Sequence, residues 1–141
     1  LIFIKPGHVH LKEKVLKRLD MFGRRIMHKE LDKAPRRIIE EHYSPHKAKS
    51  FFKELVEEFA DKPVVVAIYE GEDVIQKVID ATGPTDPLKA PKGTIRRDFT
   101  DEKVWKMETG PRLMNNVMHR SDHPKEFERE FTVWKEIFDG K

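Results

Sequence analysis

The segment "NNVMHRSDHPKEFERE", residues 115–130, carries the side chains best suited to chemistry. His119 ends a short apolar run. Ser121 or Asp122, followed by Pro124, reads as the capped start of a helix. Glu130 then falls further along that helix or on the next element. Neutral imidazole is abundant near neutral pH and attacks phosphorus, best when one ring nitrogen is held by an acceptor and the other faces substrate. Glu130 is the candidate acceptor. A histidine that merely ends a sheet edge beside a helix cap is the plainer alternative, and the segment alone leaves both open.

Seven histidines also raise the question of a metal. His8/His10, His42/His46 and His119/His123 are closely spaced, and helical i,i+4 spacing would bring His42 and His46 onto one face. Pro124 and the cap signal keep the third pair out of one continuous helix. There is no HExxH pattern and no cysteine, so no protein-held metal is expected, and disulfides and thiolate nucleophiles are excluded.

A chain of 141 residues is one domain's worth, and residues 1–141 read as a single domain. Apolar and charged residues each make up 38%, with a net charge of +3 spread through mixed-sign runs such as "KELVEEFADK". No basic stripe with interleaved aromatics appears, which argues against a nucleic-acid partner. The opening "LIFIKP" is too short for a signal peptide or a membrane span, so a cytoplasmic protein without membrane contact is expected.

The elements that must position the histidine follow from periodicity. "LIFI" predicts a strand, and "LKEKVLKRLDMFG" a helix with Leu11, Val15, Leu16 and Leu19 on one face and Gly23 as its cap. "RRIMHKEL" can pair as a strand, and Asp32 can cap a helix from Pro35 carrying Ile38 and Ile39. "FFKELVEEFA" is amphipathic with Phe51, Leu55, Val56 and Phe59 in register, and "PVVVAIYEG" is apolar on both faces and therefore central. "EDVIQKVIDATG" gives a helix ending near Gly83, "ATGPTDPLKAPKG" a long loop, "NNVMH" a short apolar element, and "EFTVW" a last possible strand. Four strands with helices between them fit an α+β sandwich of the split βαβ, ferredoxin-like type, a four-stranded antiparallel sheet covered by helices.

Taken in order, "LIFIKP", "EEHYSPHKAKSFFKELV", "KPVVVAIYEGED", "DATGPTDP", "APKGTIRRDF" and "NNVMHRSD…EREF" resemble the successive signatures of nucleoside diphosphate kinases over nearly the whole chain. The resemblance implies a ping-pong reaction, in which ATP or another nucleoside triphosphate phosphorylates a histidine that then passes the group to a nucleoside diphosphate. It also implies the ferredoxin-like fold, Mg²⁺ carried mainly by the nucleotide phosphates, and a homo-oligomer, a hexamer or else a tetramer or dimer. His119 falls on the family's nucleophile, Glu130 on the carboxylate that orients it, and Ser121 on the accompanying serine. Lys5 and Asn116 fall on phosphate and ribose contacts, Phe51 on the aromatic that stacks with the base, Arg96 and Thr82 on phosphate contacts, and Tyr43 on the tyrosine beside the histidine. Phosphoryl transfer asks mostly for positioning and charge neutralisation, which these residue types supply. An ordinary core role for Phe51 and a helix-end role for Thr82 are the alternatives. A homologue that binds nucleotide without transferring phosphate is the alternative for the whole chain.

Departures from the pattern mark where this chain differs. Gln76 stands where the family usually has an arginine, and the expectation is that Lys77 or Arg97 compensates. The turn "KPGHVHLKEK" is shortened and lacks an aspartate. An insertion around residues 100–113, with Trp105 and Met107, is expected to alter the base pocket or an interface.

Overall fold

A computed structural model describes residues 1–86, 89–99 and 116–139. The insertion, with Trp105 and Met107, lies outside the described residues. The strands are β1 (Ile2–Ile4), β2 (Arg24–Leu31), β3 (Val64–Glu70) and β4 (Met118–Arg120), in one antiparallel sheet of order β2-β3-β1-β4. The helices are α1 (Lys12–Leu19), α2 (Arg36–His42), α3 (Phe52–Phe59), α4 (Val74–Thr82), α5 (Ile95–Asp98) and α6 (Pro124–Asp139). This is the ferredoxin-like α+β fold.

Strand alternation divides the core. Val64, Val66 and Ile68 of β3 and Phe3 of β1 face one side, packed with Ile38, Ile39, Leu55, Val56, Phe59 and Trp134 from α2, α3 and α6. Ile2, Ile4, Val65, Ala67 and Tyr69 face the other, against Val15, Leu16 and Leu19 of α1, Val78 of α4 and Ile95 of α5. Both faces of β3 are therefore covered, which explains its unbroken apolar run. Among the described residues, no helix is long and apolar enough to cross a membrane.

The structure corrects several sequence expectations. "EFTVW" is not a strand but the middle of α6; the fourth strand is Met118–Arg120. β-branched residues invite a strand reading there, yet Glu130, Trp134 and Ile137 recur at helical spacing and are the buried residues of α6. Gly23 does not cap α1, which ends at Leu19. It opens β2, where its bare Cα lets Val74 and the Glu70 carbonyl approach closely. Asp32 does not cap α2 either, since the helix starts at Arg36 with Pro35 before it. That helix stops at His42, so His46, in a separate 3₁₀ turn over Ser44–His46, does not share its face. Finally, neither Ser121 nor Asp122 caps α6. Nδ1 of His123 accepts from the Glu126 amide at 3.3 Å, directly before Pro124.

Candidate active site

β4 is the sheet's edge strand beside β1, with His119 opposite Phe3. The imidazole stacks on the Phe3 ring (5.0 Å, 26°) and meets the His42 ring edge-on (4.5 Å, 86°). Glu130, nearly two turns into α6, places Oε1 2.9 Å from His119 Nε2. Ser121 Oγ lies 2.8 Å from that same oxygen and 3.2 Å from the Leu1 carbonyl, so its one proton is drawn to the carboxylate. With Nε2–H donated to Glu130, Nδ1 keeps its lone pair.

Electrostatics keep the ring neutral. Burial, reinforced by Lys5 and Arg96, holds the His119 imidazole well below its ordinary range. The Lys5 ammonium is brought down to about 7 by burial and then by Arg96. Burial and Arg120 bring Arg96 to about 9. Burial raises Tyr43, whose ring stacks on Phe59. Burial also raises Glu130 despite its hydrogen bonds.

A cleft of about 1600 Å³ opens beside the histidine. Lys5, Tyr43, Phe51, Arg96, Asn116 and His119 line it, together with Glu130, so seven of the nine expected site residues meet at one place. Arg96 is pinned by hydrogen bonds to the carbonyls of Gly83 and Met118, each 3.0 Å. Asn116 donates to the Thr85 carbonyl at 2.9 Å. Phe51 remains 39% exposed, which separates it from the core and leaves a ring face for stacking. Ser121 reaches the cleft only through Glu130. Thr82 stands apart: it is buried, and its hydroxyl lies 2.9 Å from the Val78 carbonyl one turn back.

Sequence reasoning missed four participants, His42, Trp134, Glu126 and Arg120. His42 accepts the Trp134 indole N–H on Nδ1 (3.0 Å), which puts its own proton on Nε2, 4.0 Å from Glu130 Oε2. His42, His119 and Glu130 do bring possible ligand atoms within 4.8 Å of one another. Both imidazoles turn Nε2 toward the carboxylate, His119 at 2.9 Å within hydrogen-bond distance and His42 at 4.0 Å beyond it. Glu126 hydrogen-bonds Glu130 from one turn earlier and is raised to about 7, chiefly by burial. The i,i+4 spacing of Glu126, Glu130 and Trp134 is the sequence signal for this face. The fourth participant, Arg120, lines the cleft beside His119.

The family model for nucleoside diphosphate kinase matches residues 1–138. The chain belongs to the nucleoside diphosphate kinase family. As a member it is a phosphotransferase of nucleotide metabolism. It is 36% identical to a nucleoside diphosphate kinase of Saccharolobus islandicus over 135 residues, 94% of this chain and 91% of that protein. Its fold superposes on the Aquifex aeolicus nucleoside diphosphate kinase with a TM-score of 0.80 and 30% identity, covering 99% of this chain and 93% of the other. The Halobacterium salinarum nucleoside diphosphate kinase, solved in complex with CDP, gives a TM-score of 0.78 at 30% identity, covering 94% of this chain and 84% of the other.

Proposed function

We propose that the chain is an active nucleoside diphosphate kinase working by a ping-pong mechanism through His119. The observation that carries this reading is the Glu130 contact to Nε2, which leaves Nδ1 as the nucleophilic nitrogen. In the first half-reaction Nδ1 attacks the γ-phosphorus of a nucleoside triphosphate, the bond to the β,γ-bridging oxygen breaks, and the diphosphate leaves. Glu130, steadied by Ser121, holds the Nε2 proton and balances the positive charge that grows on the ring. In the second half-reaction a terminal oxygen of another nucleoside diphosphate attacks the phosphohistidine and restores free His119.

The remaining residues fit this chemistry. Lys5 and Arg96 neutralise phosphate charge, Tyr43 borders the transferred group, Asn116 reaches the ribose, and Phe51 stacks on the base irrespective of its identity. Binding of CDP to the H. salinarum relative supports a nucleotide in this cleft. A phosphate contact by Thr82 requires its hydroxyl to leave the Val78 carbonyl. Mg²⁺ suits the cleft as a hydrated ion on the phosphates, because Asp122 offers a hard carboxylate beside His119. When bound it supplies charge neutralisation to the phosphates. Residues 1–141 form one domain in this reading, working in the cytoplasm. A homo-oligomer is supported by β2, an edge strand on which Ile26 and Met27 are exposed.

Intact-mass spectrometry after brief mixing with Mg²⁺ and ATP, then with CDP, tests the mechanism. One phosphoryl group gained, removed by CDP and absent in His119→Ala is the expected result. Nucleotide binding with no mass gain would leave a non-catalytic homologue instead.

A further inference from the structure

Gln76 is exposed and donates to Asp80 one turn along α4. Neither Lys77 nor Arg97 is among the residues that line the cleft. Arg120 is. The pleat of β4 turns His119 toward α2 and α6, and Arg120 toward the side where Arg96 grips the Met118 carbonyl. The Arg120 side chain is only 11% exposed, and its buried Nε makes no hydrogen bond. Asp122 Oδ1, 3.4 Å from that nitrogen, forms a loose ion pair from a side chain that is 56% exposed.

A largely buried guanidinium with so loose a partner is costly, and the neighbouring Arg96 charge adds to the cost. An anion with several oxygens in the cleft that both arginines line lessens both penalties, and phosphate matches the planar guanidinium fork. We infer that Arg120 is a phosphate-binding residue of the nucleotide site. Asp122 swings aside or joins the hydrated cation when the phosphates arrive. The carboxyl of Glu126, the other acidic group facing Arg120, stays bonded to Glu130. The inference rests on the kinase reading of the cleft.

The test compares ADP with adenosine, titrated by NMR into the wild-type chain and into Arg120→Gln, Arg120→Lys, Lys77→Ala and Arg97→Ala. Arg120→Gln is expected to weaken ADP about 10- to 100-fold while adenosine binding stays within about twofold. Arg120→Lys, a point charge on a flexible stem, falls between, and it serves as the measured variant if the glutamine form does not fold. Lys77→Ala and Arg97→Ala bind ADP as the wild type does. Unchanged ADP binding in the Arg120 variants overturns the inference, and so does equal weakening of ADP and adenosine, which marks a structural role. A wild-type chain that binds ADP but never takes a phosphoryl group from ATP sinks the kinase reading separately.

Discussion

Replacing Glu130 with glutamine isolates the charge that holds His119, the nucleophile of the proposed mechanism. The side chain is 1% exposed, and Oε1 receives His119 Nε2 at 2.9 Å and Ser121 Oγ at 2.8 Å. Glutamine fills the same volume and can be seated in two ways. With its carbonyl toward His119 both hydrogen bonds survive without charge assistance. Its amide then faces two more donors, His42 Nε2 and Arg129 Nη2, which lie 4.0 Å and 3.8 Å from Oε2. With the amide toward His119, Nε2 must accept, the ring proton moves to Nδ1, and the attacking lone pair is lost. Either seating removes one charge-assisted contact, about 1.5–3 kcal/mol, or roughly 10- to 150-fold in the rate of histidine phosphorylation. Rapid-quench measurement at saturating Mg²⁺-ATP reads this rate, and a thermal melt shows that the variant is folded. A folded Glu130→Gln chain phosphorylated within about twofold of the wild-type rate would refute the assignment of Glu130 as the orienting group.

Burial brings the Lys5 ammonium from 10.5 to about 7, so between these values the unfolded chain holds a proton that the folded chain has released, and stability from this site rises with pH across that window. Phosphate binding favours the charged amine and draws that proton back; calorimetry at pH 8 in buffers of different ionisation enthalpy will show net uptake, and a buffer-independent enthalpy counts against Lys5 as a phosphate contact. Glu126 is raised from 4.5 to about 7, the opposite sign: its contribution is complete below the unfolded value and fades as pH climbs through 7. Glu126→Gln is therefore expected to raise Tm at pH 8 and leave it nearly unchanged at pH 4, and equal shifts at both would exclude a raised Glu126 carboxyl. Gly83 closes α4 at φ +83°, and an added Cβ would meet Thr94 at 3.0 Å and Ala90 at 3.2 Å. Gly83→Ala should cost about 1–2 kcal/mol or more by denaturant titration and loosen the carbonyl that holds Arg96, whereas a loss below 0.5 kcal/mol would show that the turn adapts.

Much of this was legible because it is local. The β3 run and the α3 and α4 periodicities record burial directly, and Gly83 stops α4 by a conformation that few other residues adopt. Where the sequence misled, a non-local force decided. Thr132 and Val133 have strand propensity, but Glu130, Trp134 and Ile137 must all turn inward, and that spacing of four then three falls on one face only in a helix. Ser121 carries a capping residue type, yet its hydroxyl is claimed by Glu130, and the cap passes to His123. Arg120 gave no sequence signal, because a cation next to a histidine has meaning only once a strand edge brings it beside Arg96.

The edge position of β4 accounts for how the site combines rigidity with access. A nucleophile must be fixed to a fraction of an ångström, which argues for a strand, yet it must also be open on one side, which an interior strand cannot offer. β1 secures one side of β4, stacking Phe3 against the imidazole, while among the described residues the other side of β4 carries no paired strand. α6 then returns across the sheet to set Glu130 behind the ring, and Trp134 one turn later locks His42 by its indole proton. The same closure buries Lys5, Arg96 and most of Arg120. Crowding of these cationic groups disfavours their charged forms in the protein on its own, and a polyanionic ligand of the kind proposed would relieve it. In the proposed mechanism the folded chain thereby holds stored charge imbalance that phosphate binding would release, the condition under which positioning and electrostatics can drive phosphoryl transfer.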